Sequence, residues 1–92
     1  MKIPRLGQKV YLVYDDSIVL EKVEMKGKDG FATPSAFDDS IIEECRQPIY
    51  YEDYGTRWFT SLSEAKKSIK LNEDERIVKC SNTYWRVQEK GE

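Results

Sequence analysis

The chain contains no histidine. That absence removes every mechanism built on an imidazole general base, His-based nucleophile triads included. Cysteine is scarce too, with Cys45 and Cys80 as the two present. Two thiols without an imidazole make a poor zinc set, so neither a metal nor a cofactor is expected. Small secreted domains usually carry more bridges. The expectation is therefore two reduced, partly buried thiols, with a single disulfide as the competing arrangement. Long apolar runs are missing, and nothing approaches the about 18 residues that a membrane span needs. The opening Met1-Lys2-Ile3-Pro4-Arg5 lacks the apolar core of a signal peptide. Cytoplasm is the expected location, with no membrane partner.

A charge excess of one sign is also absent. Fifteen basic and 17 acidic residues give a formal net charge of −2. Up to Arg46 there are 7 basic and 9 acidic residues, and after it 8 of each, so neither half is a basic lobe. Non-specific binding to DNA or RNA rests on neutralising many phosphates with Lys and Arg, and this balance offers no general case for it. There is no Walker-type loop, dinucleotide fingerprint or calcium loop. The carboxylate pairs Asp15-Asp16 and Asp38-Asp39 read as solvated surface. Lys79 beside Cys80 is a weak activating partner, because neighbours on a strand point to opposite faces. No enzyme activity is expected.

What is present is a domain-sized, aromatic-rich chain. Its 92 residues fit a single small β-rich domain spanning residues 1–92. Hydrophobic residues make up 39% and charged residues 35%, so the core must be economical. Six Tyr, three Phe and two Trp can each bury roughly 150–250 Å².

Gln8 to Tyr14, Q-K-V-Y-L-V-Y, reads as a strand buried on both faces for part of its length. Ile18 to Lys26 continues across an Asp15-Asp16-Ser17 turn, but its apolar phase slips between Leu20 and Val23. A β-bulge would repair that slip, which predicts one long, bent strand. Gly27-Lys28-Asp29-Gly30 is a turn signal, Phe31 to Thr33 a short strand, and Pro34 its end. The first third therefore reads as a three-stranded meander. Residues 35–46 form an acidic loop with a possible helical turn, alternatively acidic bait for a basic partner.

Pro48 to Tyr51 and Thr56 to Phe59 are short strand candidates. Ser61 with Glu64 forms a capping box, and Leu62, Ala65 and Ile69 recur at helical spacing, so a helix is expected over Ser63 to Lys70. Arg76 to Cys80 and Thr83 to Gln88 read as a terminal hairpin about Ser81-Asn82.

At Tyr51 to Ile69 the chain reads Y-E-D-Y-G-T-R-W-F-T-S-L-S-E-A-K-K-S-I. This stretch resembles a segment recurring in small uncharacterised proteins of Gram-positive bacteria and their phages and mobile elements. The likeness is carried by the Asp53-Tyr54-Gly55 turn, the strand end Phe59-Thr60 and the Glu64-Ala65 helix. The hairpin from Lys9 to Met25 is similar to the N-terminal part of that group. The resemblance implies a mainly β (α+β) fold: a small, partly open SH3-like β-barrel of five to six strands with one short α-helix. It implies no activity. Read as plain chemistry, every matched residue has a structural task. Gly55 permits a sharp turn, and Trp58 and Phe59 point to opposite faces of a strand.

Two clusters are candidates for binding. Tyr84-Trp85-Arg86 interleaves aromatic and basic side chains, as on small barrels that bind peptides or single strands; the competing reading is that Trp85 fills the core. Lys66, Lys67 and Lys70 form a basic group that is either a patch for an anionic partner or a solvated helix face. The expected function is a non-enzymatic interaction module for a protein or peptide partner. The alternative is a nucleic-acid-binding small β-barrel, with Lys66, Lys67, Lys70, Lys79 and Arg86 converging beside an exposed ring. A homodimer paired through an exposed strand edge is a third arrangement.

Overall fold

A computed structural model describes residues 2–34 and 49–90. The expectations for residues 35–46, Cys45 and Asp38-Asp39 lie outside the described residues. In chain order the elements are β1 Lys9–Tyr14, β2 Ser17–Lys22, β3 Met25–Lys26, β4 Gly30–Ala32 and β5 Ile49–Tyr50. A 3-10 turn Tyr51–Asp53, β6 Trp58–Phe59, α1 Leu62–Ser68, β7 Glu75–Ser81 and β8 Tyr84–Glu89 follow. The strands make a five-stranded sheet of order β6-β1-β2-β8-β7 and a three-stranded sheet of order β3-β4-β5, both antiparallel. The described residues are mainly β with one α-helix, and the described strands do not close into a barrel.

β1 explains the layering. Its side chains alternate across the five-stranded sheet. Val10 and Leu12 enter one core with Val23, Phe31, Ile49, Tyr51 and Trp58. Tyr11 and Val13 pack against a second core of Ile18, Phe59, Ala65 and Trp85. One face of the large sheet is thus covered by the small sheet, and the other by α1. The unbroken apolar run in the sequence is two half-faces read in alternation. β6 repeats the device: Trp58 goes to the first core and the adjacent Phe59 to the second.

The slip after Leu20 has a different origin from the one expected. β1 and β2 pair without interruption from Lys9↔Lys22 to Tyr14↔Ser17, so no bulge resets the phase. Instead the chain changes sheets at Val23-Glu24. The Val23 N–H donates to Gln8 O at 2.9 Å, on the large sheet, and the Glu24 N–H to Ala32 O at 2.9 Å, on the small one. Val23 is buried because the corner turns it into the first core. The three-stranded meander is accordingly split, with β1-β2 in one sheet and β3-β4 in the other.

Local chemistry fixes the rest. Asp15 takes a φ of 50° in the β1–β2 turn, a left-handed conformation that Asp tolerates. Gly30 packs so closely that a Cβ there would stand 2.5 Å from the Ile49 carbonyl oxygen. The Trp58 indole N–H donates to Tyr50 O at 3.0 Å, so its burial leaves no polar atom stranded. Buried Thr33 donates to a Glu21 carboxylate oxygen at 2.6 Å.

Ser61 caps α1, its Oγ accepting from the Glu64 N–H at 3.3 Å. The other half of the box is diverted: the Glu64 carboxylate accepts from the Tyr54 hydroxyl at 2.9 Å. The helix occupies Leu62–Ser68 rather than Ser63 to Lys70, since Ile69 is already extended at φ −88°, ψ 121°. The terminal hairpin turns at Asn82-Thr83, with Ser81 opposite Tyr84 and a register shift between Lys79 and Ser81. Cys80 lies in that irregularity and is exposed, not partly buried as expected.

Candidate functional site

Residues of the motif around Gly55 pack and brace the turn, β6 and α1. Gly55 adopts a φ of 96°, which favours glycine. Tyr54 packs edge-on against Trp58, ring centroids 4.9 Å apart, while Lys2 places its ammonium 4.7 Å from the Tyr54 ring centre. The turn, β6 and α1 are clamped by this one tyrosine, and Ala65 is fully buried beneath the helix.

The candidate binding residues fall into three places. Trp85 is in the core at 6% exposure, stacked obliquely on Tyr11. Trp58, at 0%, is equally enclosed. Tyr84 and Arg86 are neighbours of Trp85 in β8, so they point to the opposite face, where Ser17 Oγ lies 3.1 Å from the Tyr84 hydroxyl. Lys66, Lys67 and Lys70 are exposed on and after α1. Lys79 is opposite Trp85 in the β7–β8 register, on the helix side of the sheet. Arg86 is therefore separated from the four lysines by the sheet itself. The aromatic–basic triplet does not form one surface, because alternation divides it.

A site that the sequence did not display lies at the end of the large sheet, beyond the last turn of α1. It is an open cleft of about 590 Å³. Val13, Ile69 and Val87 supply an apolar floor. The rim carries Asp15, Asp16 and Glu75 against Arg57 and Lys70. Tyr14, 44% exposed, adds a ring to the wall. Arg57 is held only loosely by Asp53, with a nitrogen–oxygen distance of 3.7 Å, an exposed pair of small energetic weight. The lining is mostly polar, with Thr56 and Ser68 beside the charged groups of both signs, around three aliphatic side chains. Among the described residues no group of three or more His, Cys, Asp or Glu side chains is placed to hold a metal.

Of these lining residues only Lys70 stood among the sequence candidates. The others come from the β1–β2 turn, the loop before β6, the end of α1 and the terminal hairpin, and no local pattern joins them. The second open feature is the outer edge of β7, which pairs with β8 on one side and with no described strand on the other. Its sequence, E-R-I-V-K-C-S, does carry an edge signal, with charged residues on both faces around a short apolar centre.

No described helix is long and apolar enough to cross a membrane. Comparison with family models, curated proteins and solved structures finds no match to the chain.

Proposed function

We propose that this protein is a non-enzymatic interaction module of the cytoplasm that binds a protein or peptide partner in the cleft beyond α1. One observation carries the reading: an apolar floor of Val13, Ile69 and Val87 beneath a rim with both carboxylates and cations. Such a rim suits a peptide, whose backbone and side chains present donors and acceptors together. It suits a polyphosphate chain poorly, because Asp15, Asp16 and Glu75 repel what Arg57 and Lys70 attract. The absence of histidine from the sequence weighs against acid–base catalysis at the same place.

The resemblance to proteins of Gram-positive bacteria and their mobile elements belongs to this proposal, with an accessory role in such a host. So does the partly open SH3-like barrel. Its support is the corner at Val23-Glu24, where one run of chain bonds to both sheets, as strands do where two sheets meet.

The test is selection of binders from a random peptide library on the full chain, followed by affinity measurement on rim variants. Asp16→Lys and Lys70→Glu should each weaken a selected peptide by about tenfold, the scale of one or two charge-assisted contacts. Peptides that bind both variants as well as the parent, or a library yielding none, would reject the cleft. A parallel titration with single-stranded and duplex nucleic acid at low salt addresses the alternative. Salt-sensitive binding lost on changing Lys66 and Lys67 to Glu would favour the nucleic-acid reading.

A further inference from the structure

We infer that the protein self-associates into a two-fold dimer by pairing β7 antiparallel with β7 of a second copy, centred on Ile77. The backbone of β7 shows which groups are available. The Val87 N–H donates to Asp16 O at 2.9 Å, and Thr83 O accepts from the Leu20 N–H at 2.8 Å. Odd-numbered residues of β8 thus turn their backbone toward β2. Arg86 and Gln88 bond to the other neighbour, through their partners Val78 and Arg76 in β7. Ile77, between those partners, turns its N–H and C=O outward, and Lys79 and the Glu75 carbonyl follow by the two-residue period.

Both ends of this edge are closed. At one end the Glu75 N–H is taken by Asn72 O at 3.0 Å, and the Glu75 carboxylate accepts from the Asn72 N–H at 2.9 Å. At the other the register shift between Lys79 and Ser81 breaks the strand. Glu75 to Lys79 remains, and Ile77 is its midpoint.

Charge selects the same register. A two-fold axis normal to the sheet sets residues of the same face opposite each other, which leaves Arg76, Ile77 or Val78 as the centre. Centring on Arg76 opposes that guanidinium to itself. Centring on Val78 sets Lys79 against Ile77 and brings Ser81, beyond the irregularity, against the occupied end at Glu75. Centring on Ile77 sets Glu75 opposite the partner's Lys79, twice by symmetry, and the two Ile77 side chains against each other. Ile77 exchanges both backbone bonds with the partner's Ile77. The Lys79 N–H donates to the carbonyl of the partner's Glu75. Cross-strand neighbours of opposite charge stabilise such a pair.

The result is one continuous sheet with five strands from each copy and both helices on the same face. Glu75 also lines the cleft, so the partner's Lys79 stands beside its rim. The pairing goes beyond the peptide-binding reading, which concerns a cleft present in a single copy and stands or falls separately. The contact is a short edge, which places it among weak, concentration-dependent associations.

Sedimentation velocity of the full chain from micromolar to millimolar concentration tests it. The parent chain should shift from monomer to dimer. Lys79→Glu, at an exposed position, should weaken association by about tenfold through two opposed carboxylate pairs. Glu75→Lys combined with Lys79→Glu should restore it, with circular dichroism confirming that each variant is folded. A chain that stays monomeric at millimolar concentration would overturn the inference. So would a dimer whose strength is the same in the parent, the single variant and the exchanged pair.

Discussion

The two halves of the large sheet share a backbone pattern and differ in what covers them. Around β6 and β1, both faces are occupied: Val10, Leu12 and Trp58 meet the small sheet, and Tyr11, Val13 and Phe59 meet the α1 side. Around β8 and β7, burial survives on the helix face through Trp85, with Ile77 packed beside it. The opposite face there carries Arg76, Val78, Tyr84 and Arg86, none of them buried. The first half is where stability resides. The second keeps its backbone order through the hairpin ladder while leaving an edge and a cleft open. Recognition surfaces are drawn from regions that the core does not fully claim.

Substitutions that strike the two halves unequally sharpen this contrast. Trp58→Ala should have the largest effect. It empties the centre of the first core, costing about 3–5 kcal/mol, and strips the Tyr50 carbonyl of its indole donor. Denaturant unfolding should show a large drop in midpoint; a loss of under about 1 kcal/mol would mean that the doubly covered half is not the stability centre. Arg76→Ser lies at the other extreme, on the open face of β7. It should change stability by no more than about 0.5 kcal/mol. A larger loss would show that the open half contributes more than its burial indicates.

The same contrast governs what could be read from the sequence. β1 was legible because its residues are apolar on both faces, and Ser61 and Gly55 because caps and positive-φ turns are local chemistry. The fate of the Ile18–Lys26 run was not. Val23 turns inward because Phe31 of the small sheet and Trp58 of β6 meet there, a fact with no local signature. Tyr84-Trp85-Arg86 reads the same whichever ring faces inward; only the pairing of Trp85 with Ile18 and its contact with Tyr11 decide it. The cleft escaped notice because its floor joins β1, Ile69 just past the end of α1, and β8. The charges of β7 fit an edge strand, but neither its edge position nor its usable length was read from the sequence. That length depends on Asn72 at one end and the irregularity before Ser81 at the other.

Amide hydrogen exchange resolved along β7 tests the central claim most directly. In dilute solution the Val78 N–H, held by β8, should be protected, while the Ile77 and Lys79 N–H groups on the same strand exchange freely. Raising the protein concentration should slow Ile77 and Lys79 and leave Val78 unchanged. Protection of Ile77 that is already complete in dilute solution would contradict the account, as would exchange at Ile77 indifferent to concentration up to millimolar.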